Sequence, residues 1–311
     1  MKKVLVAALI ISCISLAGCG ASGNTAADSG VGGNTAADSG AAGDTEADSG
    51  SVGNTEADSG AAGDAAEDKN RDTMYQVALL QSLTQGYFDG IITVDELKGH
   101  GDTGIGTFEG VNGEMIVLDG VVYQAISDGS IVTPEGNETV PFANVTYFEE
   151  DGSIRLSNVD SMESLQKKLN EMVSANGKNM FYMVKVNGDF SHIKVRSEYK
   201  QEKPYGMLDE ALAKDQVEFD YDDVSGTMVG IYCPDYMGDL NSTGWHFHFI
   251  TEDLTKGGHV LSVEIKEAKA SYDITDGFEM RLEDKKEFQD MDLSKDVDEA
   301  IRSAETKTLD K

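Results

Sequence analysis

Beyond residue 72 the chain is organised by short apolar runs set between turn dipeptides. Met74 to Leu83 carries apolar residues at helical spacing, and Thr93 followed by Glu96 has the form of a capping box for a short helix reaching Leu97. From there strand patterns dominate. Residues 114–118, the turn Asp119-Gly120 and residues 121–126 read as a hairpin, with another turn at Asp128-Gly129. Asp160 with Glu163 caps a helix to about Met172. Residues 180–186 and 190–196 around Asn187-Gly188 form a second predicted hairpin. A short helix over residues 206–214, strands over 217–221, 227–232, 245–250 and 260–265, and a closing helix over 296–303 complete the pattern. Hairpins outnumber β-α-β units. The expected fold is therefore α+β, with few helices and two mixed, largely antiparallel β-sheet subdomains, about 71–200 and 201–311.

The first 70 residues follow different rules. Lys2 and Lys3 precede an apolar stretch, Val4 to Leu16, too short to span a bilayer comfortably. Leu16-Ala17-Gly18-Cys19 then resembles a bacterial lipobox. Such signals are cut before the cysteine, so residues 1–18 are expected to be a signal peptide and Cys19 a lipidated anchor at the outer face of the cell membrane. Residues 23–68 repeat a decapeptide of the type GNTAADSGAA, with no aromatic residue. Such a segment buries too little apolar surface to offset its ordering entropy, and 19–70 is expected to be a disordered acidic spacer. Only Cys233 then remains as a thiol, so no intrachain disulfide is available, and a buried apolar role is expected for it.

The formal charge is −31, and ten of the 56 acids and three of the 25 bases precede residue 70, which leaves −24 on the rest. That balance argues against nucleic acid or an anionic lipid surface as a partner. A small anionic substrate stays open to it, because a metal ion and one arginine reverse the local field. No glycine-rich phosphate loop is present, since Gly101-Asp-Thr-Gly-Ile-Gly lacks the lysine and spacing of a P-loop.

Three of the five histidines lie within fourteen residues, at His246, His248 and His259 in GWHFHFITEDLTKGGHV. On a strand His246 and His248 project from one face and Trp245, Phe247 and Phe249 from the other. The turn-rich stretch from Thr251 to Gly258 can return His259 beside them. Three converging neutral imidazoles describe a zinc site with one position open, as a catalytic zinc requires. The site is expected on the C-terminal sheet near the subdomain interface. His100 and His192 fall outside the cluster and read as structural.

Many blocks in order resemble one family: Gly86-Tyr-Phe-Asp-Gly, Glu96-Leu with His100-Gly-Asp, Gly104-Ile-Gly-Thr-Phe, Gly113-Glu-Met-Ile-Val-Leu-Asp-Gly, Tyr123-Gln, Pro141-Phe-Ala, Gln201-Glu-Lys-Pro-Tyr, Gly226-Thr, Gly244-Trp-His-Phe-His-Phe and Gly257-Gly-His-Val-Leu. From near Tyr75 onward the chain resembles the bacterial acetolactate decarboxylases. The resemblance implies a zinc lyase that converts 2-hydroxy-2-methyl-3-oxobutanoate (acetolactate) to acetoin and CO₂, a two-domain architecture and a homodimer. It implies zinc on His246, His248 and His259. It also assigns functional roles to Glu114, Thr107, Arg196 and, near the C-terminus, Glu305. This chain departs from the family at Trp245, at Thr103 and in Ser-Glu-Tyr-Lys after Arg196. The first two are expected to alter pocket shape, and the third bears on how Arg196 is held.

The chemistry suits these residue types. Loss of CO₂ from a β-keto acid leaves an enolate, which a Lewis acid on the ketone oxygen stabilises. The guanidinium of Arg196 fits the departing carboxylate. Glu114 or Glu305 would protonate the enediolate, and Thr107 would hydrogen-bond a substrate oxygen. Activity is expected to fall below about pH 5, as imidazoles near ~6.5 exchange zinc for protons. Two other readings stay open: an HxH-type metal oxygenase, and a surface lipoprotein that binds zinc or a small ligand without catalysis.

Overall fold

The computed structural model describes residues 71–306 except Asp239, with the backbone alone at Asp298, Glu305 and Thr306. The expected signal peptide, Cys19 and the decapeptide repeats lie outside the described residues.

The elements run in the order β1 (Thr73–Val77), α1 (Leu80–Thr84), β2 (Ile92–Thr93), α2 (Val94–Leu97), β3 (Thr103–Thr107), β4 (Glu114–Leu118), β5 (Val121–Ala125), β6 (Ile131–Val132), β7 (Thr139–Val140), β8 (Phe142–Thr146) and β9 (Gly152–Val159). There follow α3 (Met162–Asn176), β10 (Phe181–Glu198), α4 (Leu208–Asp215), β11 (Gln216–Cys233), β12 (Gly244–Thr251), β13 (Gly257–Thr275), β14 (Gly277–Arg281), α5 (Lys286–Gln289) and α6 (Asp298–Thr306). A seven-stranded sheet has the order β14-β1-β8-β3-β4-β5-β6, and a five-stranded sheet the order β10-β11-β12-β13-β9. Only the β1–β14 pair is parallel in these two sheets. The fold is α+β and largely antiparallel, as the hairpin count indicates.

Alternation along each strand divides the core into layers. On β4, Met115 and Val117 join Tyr75, Leu97 and Val145 beneath α2. Ile116, between them, packs against Met183, Val229 and Ile250 of the other sheet. On the far side of the five-stranded sheet, Leu165, Leu169, Met172 and Val173 of α3 cover Tyr182, Phe190, Phe247 and Phe249. The two sheets thus share one apolar layer, which includes the buried thiol Cys233.

Several expected boundaries change. Met74–Leu83 is a strand followed by a single helical turn. Met74, Gln76 and Val77 are fully buried between β14 and β8, and a strand covered on both faces loses its period-two signature. Asn187-Gly188 is the middle of the eighteen-residue strand β10. Its backbone is paired on both sides, with β11 and β13, so a turn there would break two ladders. A Cβ at Gly188 would lie 2.3 Å from the Glu267 carbonyl, so the glycine answers close strand approach. The segments around residues 217–221 and 227–232 likewise fuse into β11. The helix after Asp160 is capped by Ser161 and runs on to Asn176. The subdomain boundary expected near residue 200 falls between β10 and β11, which pair along almost their whole length. The division follows the sheets instead, and β14 returns after β13 to lie beside β1.

β10 also pairs with β13, and β12 bridges β11 to the start of β13. Strands β10, β11, β12 and β13 therefore close into a ring, which gathers residues distant in sequence at one end.

Candidate active site

His246 and His248 stand on one face of β12, with Trp245, Phe247 and Phe249 in the opposite, α3-covered layer. The turn after Thr251 places His259 directly opposite His248 in the β12–β13 ladder. The three rings offer nitrogens that all lie within 4.8 Å of one another. His246 Nε2 is 3.1 Å from His248 Nε2 and 3.0 Å from His259 Nδ1. His248 Nδ1 lies 2.7 Å from the Met115 carbonyl, a contact that assigns the proton to Nδ1 and leaves Nε2 as a ligand atom. Burial, then the Arg196 charge, brings the His246 pKa down to about 3. Burial also drives His248 well below its ordinary value, with His246 adding to the effect. Both rings are neutral at physiological pH, the form a metal binds. This donor set fits a divalent ion of zinc's type: neutral imidazoles aimed at a common point from a rigid sheet.

The seven-stranded sheet supplies a carboxylate. Glu114 shares the face of Ile116 on β4 and reaches across to the histidines, with Oε2 3.4 Å from His248 Nε2. The turn before it is built for this. Gly113 has φ +75, and a Cβ there would meet the Ala125 carbonyl at 2.3 Å. Thr107, the register partner of Glu114, donates its hydroxyl to the Gly113 carbonyl at 2.8 Å. Thr107 thus steadies the turn that presents Glu114, and it also lines the cavity.

Arg196 comes from β10, opposite His259. Register shifts in the β10–β13 ladder near Phe190 and His192 accompany a change of face. Ile193 and Val195 join the α3-covered core, while Arg196 and Glu198 face the histidines. Arg196 Nε is 3.6 Å from Glu114 Oε1. Its Nη1 donates to the Ala304 carbonyl of α6 and, at 3.4 Å, to Gln216 Oε1.

These side chains enclose a cavity of about 50 Å³, and apolar residues, among them Leu80, Leu83, Phe142 and Leu212, form the rest of its wall. Histidines 246, 248 and 259, Glu114, Thr107 and Arg196 are therefore brought together. Glu305 belongs to α6, one residue after the cavity-lining Ala304, but its side chain falls outside the described residues. Neither Trp245 nor Thr103 shapes the pocket. Trp245 points to the opposite face of β12 and donates to Asn170 Oδ1 at 2.9 Å. Thr103 sits at the far end of β3 from Thr107, fully buried against Asp102. His100 stacks on Tyr75, and His192 pairs with surface Asp220 and Asp222, both remote from the cavity wall.

Sequence reasoning missed Glu198. It is 3% exposed and lines the same cavity. Burial raises its pKa to about 7, against the opposing pull of Arg196 and a hydrogen bond with Glu114. Its only signal was a position two residues beyond Arg196 on one strand, which is weak in a chain of 56 acids.

The sequence profile of the alpha-acetolactate decarboxylases matches residues 74–295. The alpha-acetolactate decarboxylase of Methanosarcina mazei is 42% identical over 234 residues, covering 75% of this chain and 80% of its own. That of Bacillus licheniformis is 35% identical over 239 residues, covering 76% and 93%. The crystal structure of the alpha-acetolactate decarboxylase from Bacillus subtilis strain 168 matches with a TM-score of 0.73 at 31% identity, over 76% of this chain and 100% of that one. Fold and sequence together define a carboxy-lyase. The chain belongs to the alpha-acetolactate decarboxylase family.

Proposed function

We propose that the protein decarboxylates 2-acetolactate to acetoin and CO₂, with zinc held by His246, His248 and His259. The observation that carries this reading is the meeting, in one buried cavity, of three converging imidazoles, a permanent cation and a carboxyl group. When bound, zinc supplies Lewis-acid stabilisation of charge developing on the substrate's oxygens. Arg196 holds the substrate carboxylate with its planar fork until CO₂ departs. The electron pair of the broken carbon–carbon bond becomes an enediolate, and Glu114, in its protonated form, delivers its proton to carbon and recovers one from water before the next turnover. Thr107 keeps Glu114 in place through the Gly113 turn and offers an oxygen to the substrate. The apolar wall formed by Leu80, Leu83, Phe142 and Leu212 suits the two methyl groups of acetolactate and limits water.

The lipobox supports a further part of the proposal: the enzyme is exported and anchored through a lipid on Cys19. The family resemblance supports a homodimer.

The decisive experiment follows acetoin from racemic acetolactate with purified, zinc-loaded protein. Rapid formation that a chelator stops and zinc restores is the expected result. Metal at one per chain with no acetoin would favour a surface protein that captures zinc or a small ligand.

A further inference from the structure

Among the described ionisable residues of the cavity wall, Glu198 is the one to which the proposed reaction gives no part. Its Oε2 is buried and makes no hydrogen bond. Two residues back on the same strand face, Arg196 Nε is also buried without a hydrogen bond, since Glu114 Oε1 at 3.6 Å is too far to accept one. An unsatisfied buried acceptor and an unsatisfied buried donor each cost stability. Placed together on a cavity wall, they describe the complement of a ligand. That ligand carries a hydrogen-bond acceptor and a donor on adjacent groups. A 2-hydroxy carboxylate has this pattern: its carboxylate accepts and its hydroxyl donates.

We propose that Glu198 is a substrate-contacting residue, whose Oε2 accepts a hydrogen bond from the 2-hydroxyl of a hydroxy acid while Arg196 Nε donates to the carboxylate. The inference rests on the decarboxylase reading and adds to it a determinant of substrate class. The role needs only an acceptor oxygen, which a carboxyl group keeps in either protonation state. It also accounts for a carboxyl group where an apolar side chain would be less costly to bury.

The test is calorimetric titration of the zinc-loaded protein with two unreactive acids, 2-hydroxy-2-methylpropanoate and 2,2-dimethylpropanoate. They differ by one hydroxyl in place of a methyl. Wild-type protein is expected to prefer the hydroxy acid. Glu198→Val is expected to cut that preference by at least about tenfold with zinc content unchanged, as the loss of a buried hydrogen bond implies. Glu198→Asp keeps the carboxyl group but withdraws its oxygens by one methylene. It is expected to lose preference too, and it provides the test should the valine variant fail to fold. A residue that merely steadies Arg196 would weaken both acids alike and leave their ratio intact. That result, or a wild-type protein indifferent to the hydroxyl, overturns the proposal. The titration needs no turnover, so a failure of wild-type protein to form acetoin would bear on the decarboxylase reading alone.

Discussion

Arg196 and His259 are register partners across the β10–β13 ladder. They are 63 positions apart by residue number, yet a backbone ladder sets one beside the other. The proposed grip for an anionic carboxylate therefore sits next to the candidate metal centre through main-chain pairing. Sheet-borne positions of this kind hold geometry better than loop-borne ones.

Glu114→Gln removes the proposed proton donor and keeps the shape of the side chain. Acetoin formation is expected to fall by roughly 10²–10⁴-fold, the usual contribution of a general acid. Zinc content is expected to survive, because the proposed site draws its ligands from the three imidazoles. Loss of zinc together with activity, measured by metal analysis, would make Glu114 a support of the metal instead.

Arg196 is the cation that meets the buried carboxylate Glu114 in an ion pair, and its field also acts on Glu198. Arg196→Lys keeps the charge and loses the planar fork, so kcat/KM is expected to drop roughly 10–100-fold. Arg196→Met leaves buried carboxylates without a cation. It is expected to cost about 3–5 kcal/mol of stability in denaturant titration. Near-wild-type stability in the methionine variant would show that the pair contributes little to the fold.

Acid should release the metal later than unperturbed imidazoles would allow. An ordinary histidine near 6.5 leads to loss below about pH 5. Burial brings His246 to about 3, so its neutral form persists well below 6.5. The sign follows from linkage: a depressed folded pKa gives stability that is present above about 6.5 and lost as pH falls toward 3. Zinc is expected to remain bound near pH 4, with release toward pH 3. Release already at pH 5, followed by metal analysis after rapid desalting, would contradict this.

The anchor is tested by Cys19→Ser. If Cys19 is lipidated, the wild-type protein should sediment with membranes, because two or more acyl chains, each CH₂ contributing about 0.8 kcal/mol, would hold it there. The variant should leave the membrane fraction. Equal partitioning of the two proteins would remove lipidation from the account.

Local chemistry was legible wherever a few neighbouring residues decide the conformation. Asp119-Gly120 adopts left-handed φ values of 51 and 80 and turns the β4–β5 hairpin. Thr93 and Glu96 close a reciprocal capping box. The spacing of His246, His248 and His259 depends only on strand alternation and one turn. Asn187-Gly188 shows the limit. The dipeptide is a strong hairpin signal, but two neighbouring strands compete with the turn for the same backbone groups, and the paired ladders prevail.

The sequence by itself determined the three-histidine face, the strand-rich α+β character and, through a set of ordered motifs, the family. Its first 70 residues, with the lipobox-like stretch and the decapeptide repeats, are unlike anything in the rest of the chain. Only the tertiary structure decided which sheet each strand joined, that β10 through β13 close into a ring, and that Glu198 stands beside Arg196 and Glu114 in a buried cavity. The reason is range: caps and turns depend on residues within a few positions, whereas β10 pairs with strands that begin 18 and 59 positions after it ends. Burial of a charged side chain is a property of everything packed around it, and no local pattern records that.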